Sequence, residues 1–516
     1  MDGIRIKNVR SIIDSGDIEL RKINILLGRN SSGKSSFLRL FPMLKESARN
    51  ELRGPILWFD ENYDFGGFAN TLSRHVSEKD SMMRLEFSWF PSNRGMMSRY
   101  YYYGSRSIVD SIMKDVKNIN VILGIGKHHE DVALEELIIN FDDFKVCIKQ
   151  SKENNKLELE VNEKSITTFG LEWDYSSASL LPKLHITDDT TIYDTFNLAL
   201  KNLYGNSIIE RHIFFHIPQM IKIDDEAVWN YVEEEYLKGK KSRKIRVVEN
   251  SDEYKKKVED SIYLMHVNAL LDYIDDNISE YFKHTYYITP LRYNFQRYMR
   301  NRDLAVEYIE STGKNVMEYI LSLKKTEREN YIKFIHDTLG IEVEVEGKDN
   351  KSIFIKTEDG EKDNIVDVGY GYSQVLPIAT TLWDRAYKNE QADYENTIVI
   401  EQPEVHLHPA MQRKLALLFV EALRIAKSRK KILKLIIETH SQPLIERLGK
   451  FVANGNPPEV EELAEFYKTD ENSDVKMDEK DIAVYLFNKK DGVTTIEKTK
   501  YDKMGRIENW PIGFLD

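Results

Sequence analysis

The stretch Gly28-Arg29-Asn30-Ser31-Ser32-Gly33-Lys34-Ser35 fits the pattern G-x-x-x-x-G-K-[S/T] at every fixed position. Residues Ile23 to Leu27 before it have the composition of a buried strand, and Ser36 to Leu40 after it begin an amphipathic helix. Backbone N–H groups in a glycine-permitted turn, together with a helix N-terminus, form a site for phosphate oxygens. This context predicts a phosphate-binding loop and not a chance glycine-serine turn.

Two side chains of this loop carry its predicted chemistry. Lys34 can place a positive charge on the β and γ phosphates of a nucleotide, and the Ser35 hydroxyl can coordinate Mg²⁺. We therefore predict that ATP and Mg²⁺ bind here. The residues expected to contact the nucleotide are Gly28, Arg29, Asn30, Ser31, Ser32, Gly33, Lys34, Ser35 and Ser36.

Length and composition limit the class of protein. A chain of 516 residues is too long to fold around one hydrophobic core, so its length indicates two to four domains or lobes. A formal charge of −12 argues against a protein that binds nucleic acid over its whole surface. A local basic groove that binds nucleic acid is still possible. The single cysteine, Cys147, fits a reducing cytoplasm and a buried position in a strand. No signal-peptide core and no run near the ~20 apolar residues of a bilayer span is present, so we expect a cytoplasmic protein without a membrane partner.

Three later stretches follow the phosphate loop in a fixed order. Gly369-Tyr370-Gly371-Tyr372-Ser373-Gln374 is a glycine turn at the head of a helix, where a serine can donate to a phosphate, although a simple helix cap looks the same. Thr397 to Pro409 contains a buried strand that ends in acid groups. Leu433 to Ser441 reads as a second apolar strand, which ends in Thr439-His440-Ser441.

The four stretches in this order, with three short strands before the phosphate loop, resemble the ABC-type ATPases of the RecF and OLD group. The resemblance covers about the first 45 residues and residues 365 to 445. It implies an α/β P-loop ATPase head of the RecF/SMC type with a helical insertion. No heptad repeat persists, so we expect no long coiled coil. Residues 446 to 516 are too few for the TOPRIM nuclease domain of OLD proteins, so none is expected.

The resemblance implies roles for the acid-rich strand ends. Glu401 matches the carboxylate that holds Mg²⁺ together with Ser35, and Gln402 stands where the family has its general base. An amide cannot take a proton, so hydrolysis is expected to be slow or to use another carboxylate, of which Glu404 is the nearest. His440 matches the switch histidine that donates to the γ-phosphate or the attacking water. The predicted catalytic residues are thus Glu401, Gln402, Glu404 and His440.

The glycine turn resembles the signature motif of the family, as G-x-G-x-S-Q in place of L-S-G-G-Q. In that family the motif contacts the ATP held by the opposite subunit. Gly371, Ser373 and Gln374 are therefore predicted to complete a nucleotide site across a homodimer or a higher even oligomer.

Patterns along the chain predict four parts. They are an N-terminal ATPase lobe with a β-rich subdomain at 1–185, a helical insertion at 186–285, a C-terminal ATPase lobe at 286–445 and an α/β tail at 446–516. The run Tyr100 to Tyr103 fits a strand or an aromatic surface patch better than a base-stacking site. The basic run Lys238 to Arg246 fits a solvated loop and a phosphate-contacting patch equally well.

Among relatives of this kind, the chain looks most like the ATPase subunits of bacterial anti-phage systems. One example is the PtuA family of Septu, which pairs with the HNH nuclease PtuB. The ATPase of a PARIS-type system is an alternative. The resemblance implies an ATP-dependent dimer that senses or regulates a separate effector nuclease. The alternative is a RecF-like DNA-repair ATPase that binds DNA directly, and a self-contained OLD-type nuclease is disfavoured by the short tail.

Overall fold

The computed structural model describes all residues except 77–80, 91–115, 143, 153–155, 189, 205–224, 233–250, 301–305, 358–359, 389–393, 456–474 and 510–516. The runs Tyr100 to Tyr103 and Lys238 to Arg246 lie outside the described residues.

The strands are as follows, in chain order: β1 (Gly3–Val9), β2 (Ile12–Asp14), β3 (Ile18–Glu19), β4 (Ile23–Gly28), β5 (Phe59–Asp60), β6 (Tyr63–Asp64), β7 (Met83–Trp89), β8 (Ile119–His128), β9 (Asp131–Phe141), β10 (Phe144–Gln150), β11 (Leu157–Val161), β12 (Lys164–Ile166), β13 (Leu171–Asp174), β14 (Lys183–Ile186), β15 (Thr285–Ile288), β16 (Met299–Arg300), β17 (Ile341–Glu346), β18 (Asn350–Thr357), β19 (Lys362–Asn364), β20 (Glu395–Glu401), β21 (Ile432–Glu438), β22 (Ile482–Lys490) and β23 (Val493–Thr499).

The helices are as follows: α1 (Lys34–Leu38), α2 (Leu40–Arg49), α3 (Phe68–Thr71), α4 (Ile192–Tyr204), α5 (Asp225–Tyr231), α6 (Ser251–Lys283), α7 (Val316–Ser322), α8 (Lys325–Leu339), α9 (Tyr370–Trp383), α10 (Pro409–Ser428) and α11 (Gln442–Gly455). A π-helical turn, Asp384–Lys388, continues α9. No helix in the described ranges is both long enough and apolar enough to cross a bilayer.

The chain forms two compact units. The first contains Met1–Val9, Glu46–Trp58 and Val76–Lys283, and the second contains Arg10–Lys45, Phe59–His75 and His284–Asp516. The four-part division drawn from the sequence stays a prediction.

The first unit is built on an antiparallel sheet with the strand order β12-β11-β10-β9-β8-β7-β1. Strand β11 alternates buried apolar residues with exposed glutamates, as a strand with one packed face must. Helix α6 packs along the shorter α4, and the Phe282 ring meets the Phe87 ring of β7 at 5.5 Å. The helical pattern predicted from about 190 to 285 is confirmed where this part is described, and α6 makes no long coiled coil there.

The second unit contains the sheet that carries the phosphate loop. Its strand order is β2-β23-β22-β4-β21-β20-β15, in which β22, β4, β21, β20 and β15 are parallel. All six residues of β4 are buried, and β20 and β21 are buried in all but their first residue, as expected for parallel strands covered on both faces. The carboxyl ends of parallel strands meet at one edge of a sheet. The ends of β4, β20 and β21 therefore lie together.

A hydrophobic cluster packs helices α7 to α11 of this second unit against its sheet. Trp383 at the end of α9 packs edge-on against Tyr331 of α8, with ring centroids 5.3 Å apart. The Tyr331 hydroxyl is 2.9 Å from the Thr380 hydroxyl, so this buried polar group has a partner. The helices behind the strand ends are thereby held in fixed positions.

Candidate nucleotide and metal site

The loop between β4 and α1 depends on glycine at two positions. Gly28 has φ 153°, and a Cβ there would lie 2.3 Å from the carbonyl oxygen of Phe487 in β22. Gly33 has φ 102° at the N-cap of α1, a backbone conformation that L side chains rarely adopt. The spacing of glycines in the motif is therefore a requirement of this backbone path.

Lys34 lies inside the loop and is only 3% exposed. Its Nζ donates hydrogen bonds to the carbonyl oxygens of Gly28 at 2.7 Å and Arg29 at 2.9 Å, and lies 3.7 Å from Oε1 of Glu438. Burial lowers the pKa of Lys34, and the carboxylate of Glu438 opposes that change. The ammonium group is thus held inside the loop, and its contact with nucleotide phosphates stays a prediction.

A pocket of about 330 Å³ opens at this loop. Its lining contains three cationic side chains, from Arg10, Lys34 and Lys489, and one carboxylate, from Glu438. The full lining is Arg10, Ser11, Asn30, Ser31, Ser32, Gly33, Lys34, Ser35, Ser36, Gln402, Glu438 and Lys489. This balance of charge suits a polyanion better than a neutral ligand.

Ser35 contacts Glu438, a residue that the sequence analysis did not assign to the site. The Ser35 hydroxyl donates to Oε2 of Glu438 at 3.0 Å, and Glu438 is 2% exposed. Burial raises the pKa of Glu438 to about 7, against the opposing effect of Lys34, and the neighbouring Glu401 raises it further. Glu438 ends β21, which lies directly beside β4. Its position two residues before His440 in an apolar strand was the signal that could have identified it.

Glu401, the predicted Mg²⁺ ligand, is bonded within the protein. The Tyr287 hydroxyl donates to its Oε2 at 2.5 Å, and the Arg39 guanidinium lies 3.3 Å from both carboxylate oxygens. Glu401 is 1% exposed and is paired in register with Glu438 across the parallel strands. The structure therefore brings Glu401 to the site but places Glu438, and not Glu401, against Ser35.

Gln402 and Glu404 form the turn that follows β20. Gln402 has φ 45°, its backbone N–H donates to the carbonyl oxygen of Glu438 at 2.9 Å, and it lines the pocket. Glu404 accepts hydrogen bonds from the Thr439 hydroxyl at 2.8 Å and from the His440 backbone N–H at 2.6 Å. Burial raises the pKa of Glu404, and these two bonds oppose it. Glu404 thus holds the turn after β21 in place.

His440 is partly buried after the end of β21. Burial lowers the pKa of its imidazole, and the nearby Lys34 charge lowers it further, so the neutral ring is favoured at neutral pH. The next residue, Ser441, accepts a hydrogen bond from the backbone N–H of Leu444 at 3.1 Å in the first turn of α11. This cap fixes the chain direction just beyond the histidine.

The predicted signature residues lie apart from the pocket lining. Gly371, Ser373 and Gln374 occupy the first turn of α9, behind Gly369 with φ 101°. Ser373 is 5% exposed and Gln374 is 1% exposed. The chain by itself does not bring them to the phosphate loop, so their contact with a nucleotide of a second subunit stays a prediction.

Comparison with known families agrees with this geometry. A family model described as an AAA ATPase domain matches residues 1–445, and one described as a protein of unknown function, DUF3696, matches residues 477–516. No curated protein matches the chain at a significant level.

Two solved structures illustrate the similarity. The SMC head domain of Thermotoga maritima is 9% identical, with 96% of this chain and 97% of that chain covered and a TM-score of 0.34. An Smc head domain with a coiled coil and joint from Pyrococcus yayanosii is 11% identical, with 97% of each chain covered and a TM-score of 0.35.

The predicted α/β fold of a P-loop ATPase is confirmed by the family match and by the loop at the end of a central parallel strand, and the described residues contain no long coiled coil. The ABC-type assignment stays a prediction. Since the match covers most of the 516 residues, the chain belongs to the AAA ATPase domain family.

Proposed function

We propose that this protein binds and hydrolyses ATP with Mg²⁺ at the pocket around Lys34. The observation that carries the proposal is the group formed by Lys34, Ser35 and Glu438, in which an ammonium, a hydroxyl and a carboxylate meet beside the loop. The backbone N–H groups of Gly28 to Ser36, with Lys34, would hold the phosphate chain.

The donor set at the pocket fits Mg²⁺. This ion prefers oxygen ligands and keeps several waters, so one hydroxyl and one or two carboxylates are enough protein ligands. Ser35 and Glu438 are in contact at the pocket wall, whereas Glu401 is bonded to Arg39 and Tyr287. We therefore assign Ser35 and Glu438 as the pair that would hold the metal, with Glu401 behind them. When bound, Mg²⁺ would neutralise charge on the phosphates.

Hydrolysis by this site is proposed to be slow. Gln402 lines the pocket where a base would be expected, and its amide cannot accept a proton. Both oxygens of Glu404 accept hydrogen bonds from the 439–440 turn, which makes Glu404 a weaker candidate than the sequence indicated. The neutral ring of His440 would act as a donor toward the reacting phosphate or water. The binding of ATP, more than its hydrolysis, would then hold the subunits together and signal the state of the complex.

The assembly that we propose follows from the resemblance of the four sequence motifs to those of the ABC-type ATPases. Two chains, or a higher even oligomer, would sandwich ATP between the loop of one subunit and Gly371, Ser373 and Gln374 of the other. In a cytoplasmic anti-phage system of the Septu type, closure would regulate a separate HNH nuclease.

Nucleotide affinity tests the core of the proposal. A fluorescent ATP analogue should bind the full-length protein more tightly with Mg²⁺ than with chelator, and Lys34→Ala should lose about tenfold or more in affinity because a buried charge-assisted contact is removed. Equal binding by wild type and Lys34→Ala would refute the assignment.

Sedimentation with and without ATP tests the assembly, since a signature motif that acts between subunits requires ATP-dependent association. A chain that remains monomeric with saturating Mg²⁺ and ATP would contradict the dimer. Direct DNA binding that weakens steeply with salt would favour the RecF-like alternative.

A further inference from the structure

The C-terminal hairpin, β22 and β23, lies beside the phosphate loop of the second unit. Strand β22 pairs in parallel with β4 from Ile482 opposite Ile23 to Phe487 opposite Gly28. The Phe487 ring lies 6.1 Å from the ring of Phe37, which is in the helix that follows the loop. The hairpin therefore packs against both ends of the motif.

Thr494 of β23 is tied directly to the loop. Its hydroxyl lies 2.8 Å from the carbonyl oxygen of Ser32 and 2.8 Å from Oγ of Ser11, and its backbone N–H donates to the Ser11 carbonyl at 2.7 Å. Thr494 is 2% exposed, and a Cβ at Gly33 would lie 3.0 Å from its hydroxyl. The hairpin thus fixes the backbone of the phosphate loop from the side.

Lys489 places a positive charge in the same pocket. Side chains alternate along a strand, so Lys489 shares a face of β22 with Phe487, and the neighbouring Lys490 lies on the other face. Lys489 lines the pocket with Lys34, and its side chain makes no ion pair or hydrogen bond within the described part of the chain. An unneutralised cation in a pocket wall is available to a bound anion.

Arg10 adds to this positive wall. Its guanidinium is held in place, because it donates to the carbonyl oxygen of Asp64 at 3.1 Å and stacks on Phe65 at 4.5 Å. Burial lowers the pKa of Arg10, and the nearby charge of Arg39 lowers it further, as expected where positive charge exceeds negative charge.

We propose that the C-terminal hairpin forms one wall of the nucleotide site, and that Lys489 binds the phosphate chain of a nucleoside triphosphate. The inference rests on the proposed function, which does not itself require any residue beyond 445. It assigns a role to the segment that matches the family of unknown function, residues 477–516.

The test compares two adjacent lysines in the full-length protein. Lys489→Ala should raise the Kd for a fluorescent ATP analogue about threefold to tenfold, since a charge-assisted contact in a partly exposed pocket is lost. Lys490→Ala removes the same charge from the opposite face and should leave the Kd unchanged. Inorganic triphosphate should displace the fluorescent ATP analogue less effectively from Lys489→Ala than from wild type. This difference between the two proteins should become smaller at high salt.

The outcomes separate the two proposals. If wild type binds ATP and Lys34→Ala does not, but Lys489→Ala and Lys490→Ala bind alike, the hairpin inference is wrong and the proposed function stands. If wild type binds no triphosphate, both fall. Unchanged thermal melting of Lys489→Ala, a surface substitution, distinguishes lost contact from lost fold.

Discussion

The substitution Glu438→Gln probes the carboxylate at the centre of the site. Glu438 is 2% exposed, its pKa is about 7, and the ordinary value is 4.5. The difference of about 2.5 pKa units, at about 1.4 kcal/mol each, corresponds to about 3 to 4 kcal/mol. This is the free energy by which ionised Glu438 destabilises the metal-free folded protein.

The direction in which pH changes the stability contribution of Glu438 follows from proton binding. Since the folded-state pKa is above the unfolded value, the folded protein binds more protons between about pH 4.5 and 7. The contribution of Glu438 to stability is fully present below about pH 4.5 and is lost as the pH rises through about 7. Glutamine has nearly the same shape and carries no charge. We therefore expect Glu438→Gln to be about 1 to 3 kcal/mol more stable than wild type at about pH 8 in chelator.

The matched control is Glu401→Gln, at the end of the neighbouring strand. Glu401 is stabilised by Tyr287 and Arg39, so its neutralisation removes favourable contacts. We expect Glu401→Gln to be less stable by about 1 to 2 kcal/mol under the same conditions. The two equivalent substitutions should thus have opposite signs.

Urea unfolding followed by circular dichroism, at about pH 5 and pH 8 in chelator, measures both effects. The pH dependence should be weaker in Glu438→Gln than in wild type. Addition of Mg²⁺ and ATP should stabilise wild type and should stabilise Glu438→Gln much less, because one metal ligand is gone. If Glu438→Gln is destabilised at pH 8 in chelator as strongly as Glu401→Gln, the burial argument fails.

Three further predictions concern neighbouring residues. Gln402→Glu should raise steady-state phosphate release about tenfold or more if the missing base limits hydrolysis; no increase would count against the assignment of that position. Thr494→Val should lower stability by about 1 to 2 kcal/mol in thermal denaturation, because a buried loop carbonyl loses its donor, whereas the exposed Thr495→Val should have little effect. Tyr287→Phe should also lower stability by about 1 to 2 kcal/mol, because it removes a hydrogen-bond donor to Glu401. An unchanged melting temperature would show that this hydrogen bond does not contribute to stability.

The local parts of the site could be read from the sequence. The loop with Gly28, Gly33 and Lys34 depends on backbone preferences and on a strand and helix that are adjacent in the chain. The strands that end at Glu401 and Glu438 are apolar runs bounded by polar residues, and both are observed near their predicted ends. Their period and boundaries are local properties, so no long-range information was needed.

Which acid meets Ser35 was decided by tertiary structure. Ser35 and Glu438 are separated by 403 positions, and their contact depends on β21 lying between β4 and β20 in the sheet. The sequence favoured Glu401 by resemblance, because nothing in spacing along the chain reveals which strand is the neighbour of β4. The contacts of Tyr287 and Arg39 with Glu401 depend on the same strand order.

The sequence by itself determined that a phosphate-binding loop follows a buried strand, that later strands end in acids and a histidine, and that the chain is an α/β P-loop protein. Only the tertiary structure placed Glu438 on Ser35 and brought Thr494 and Lys489 of the C-terminal hairpin to the loop. The physical reason is that backbone preference and hydrophobic period act over a few residues, whereas strand pairing and register join residues hundreds of positions apart.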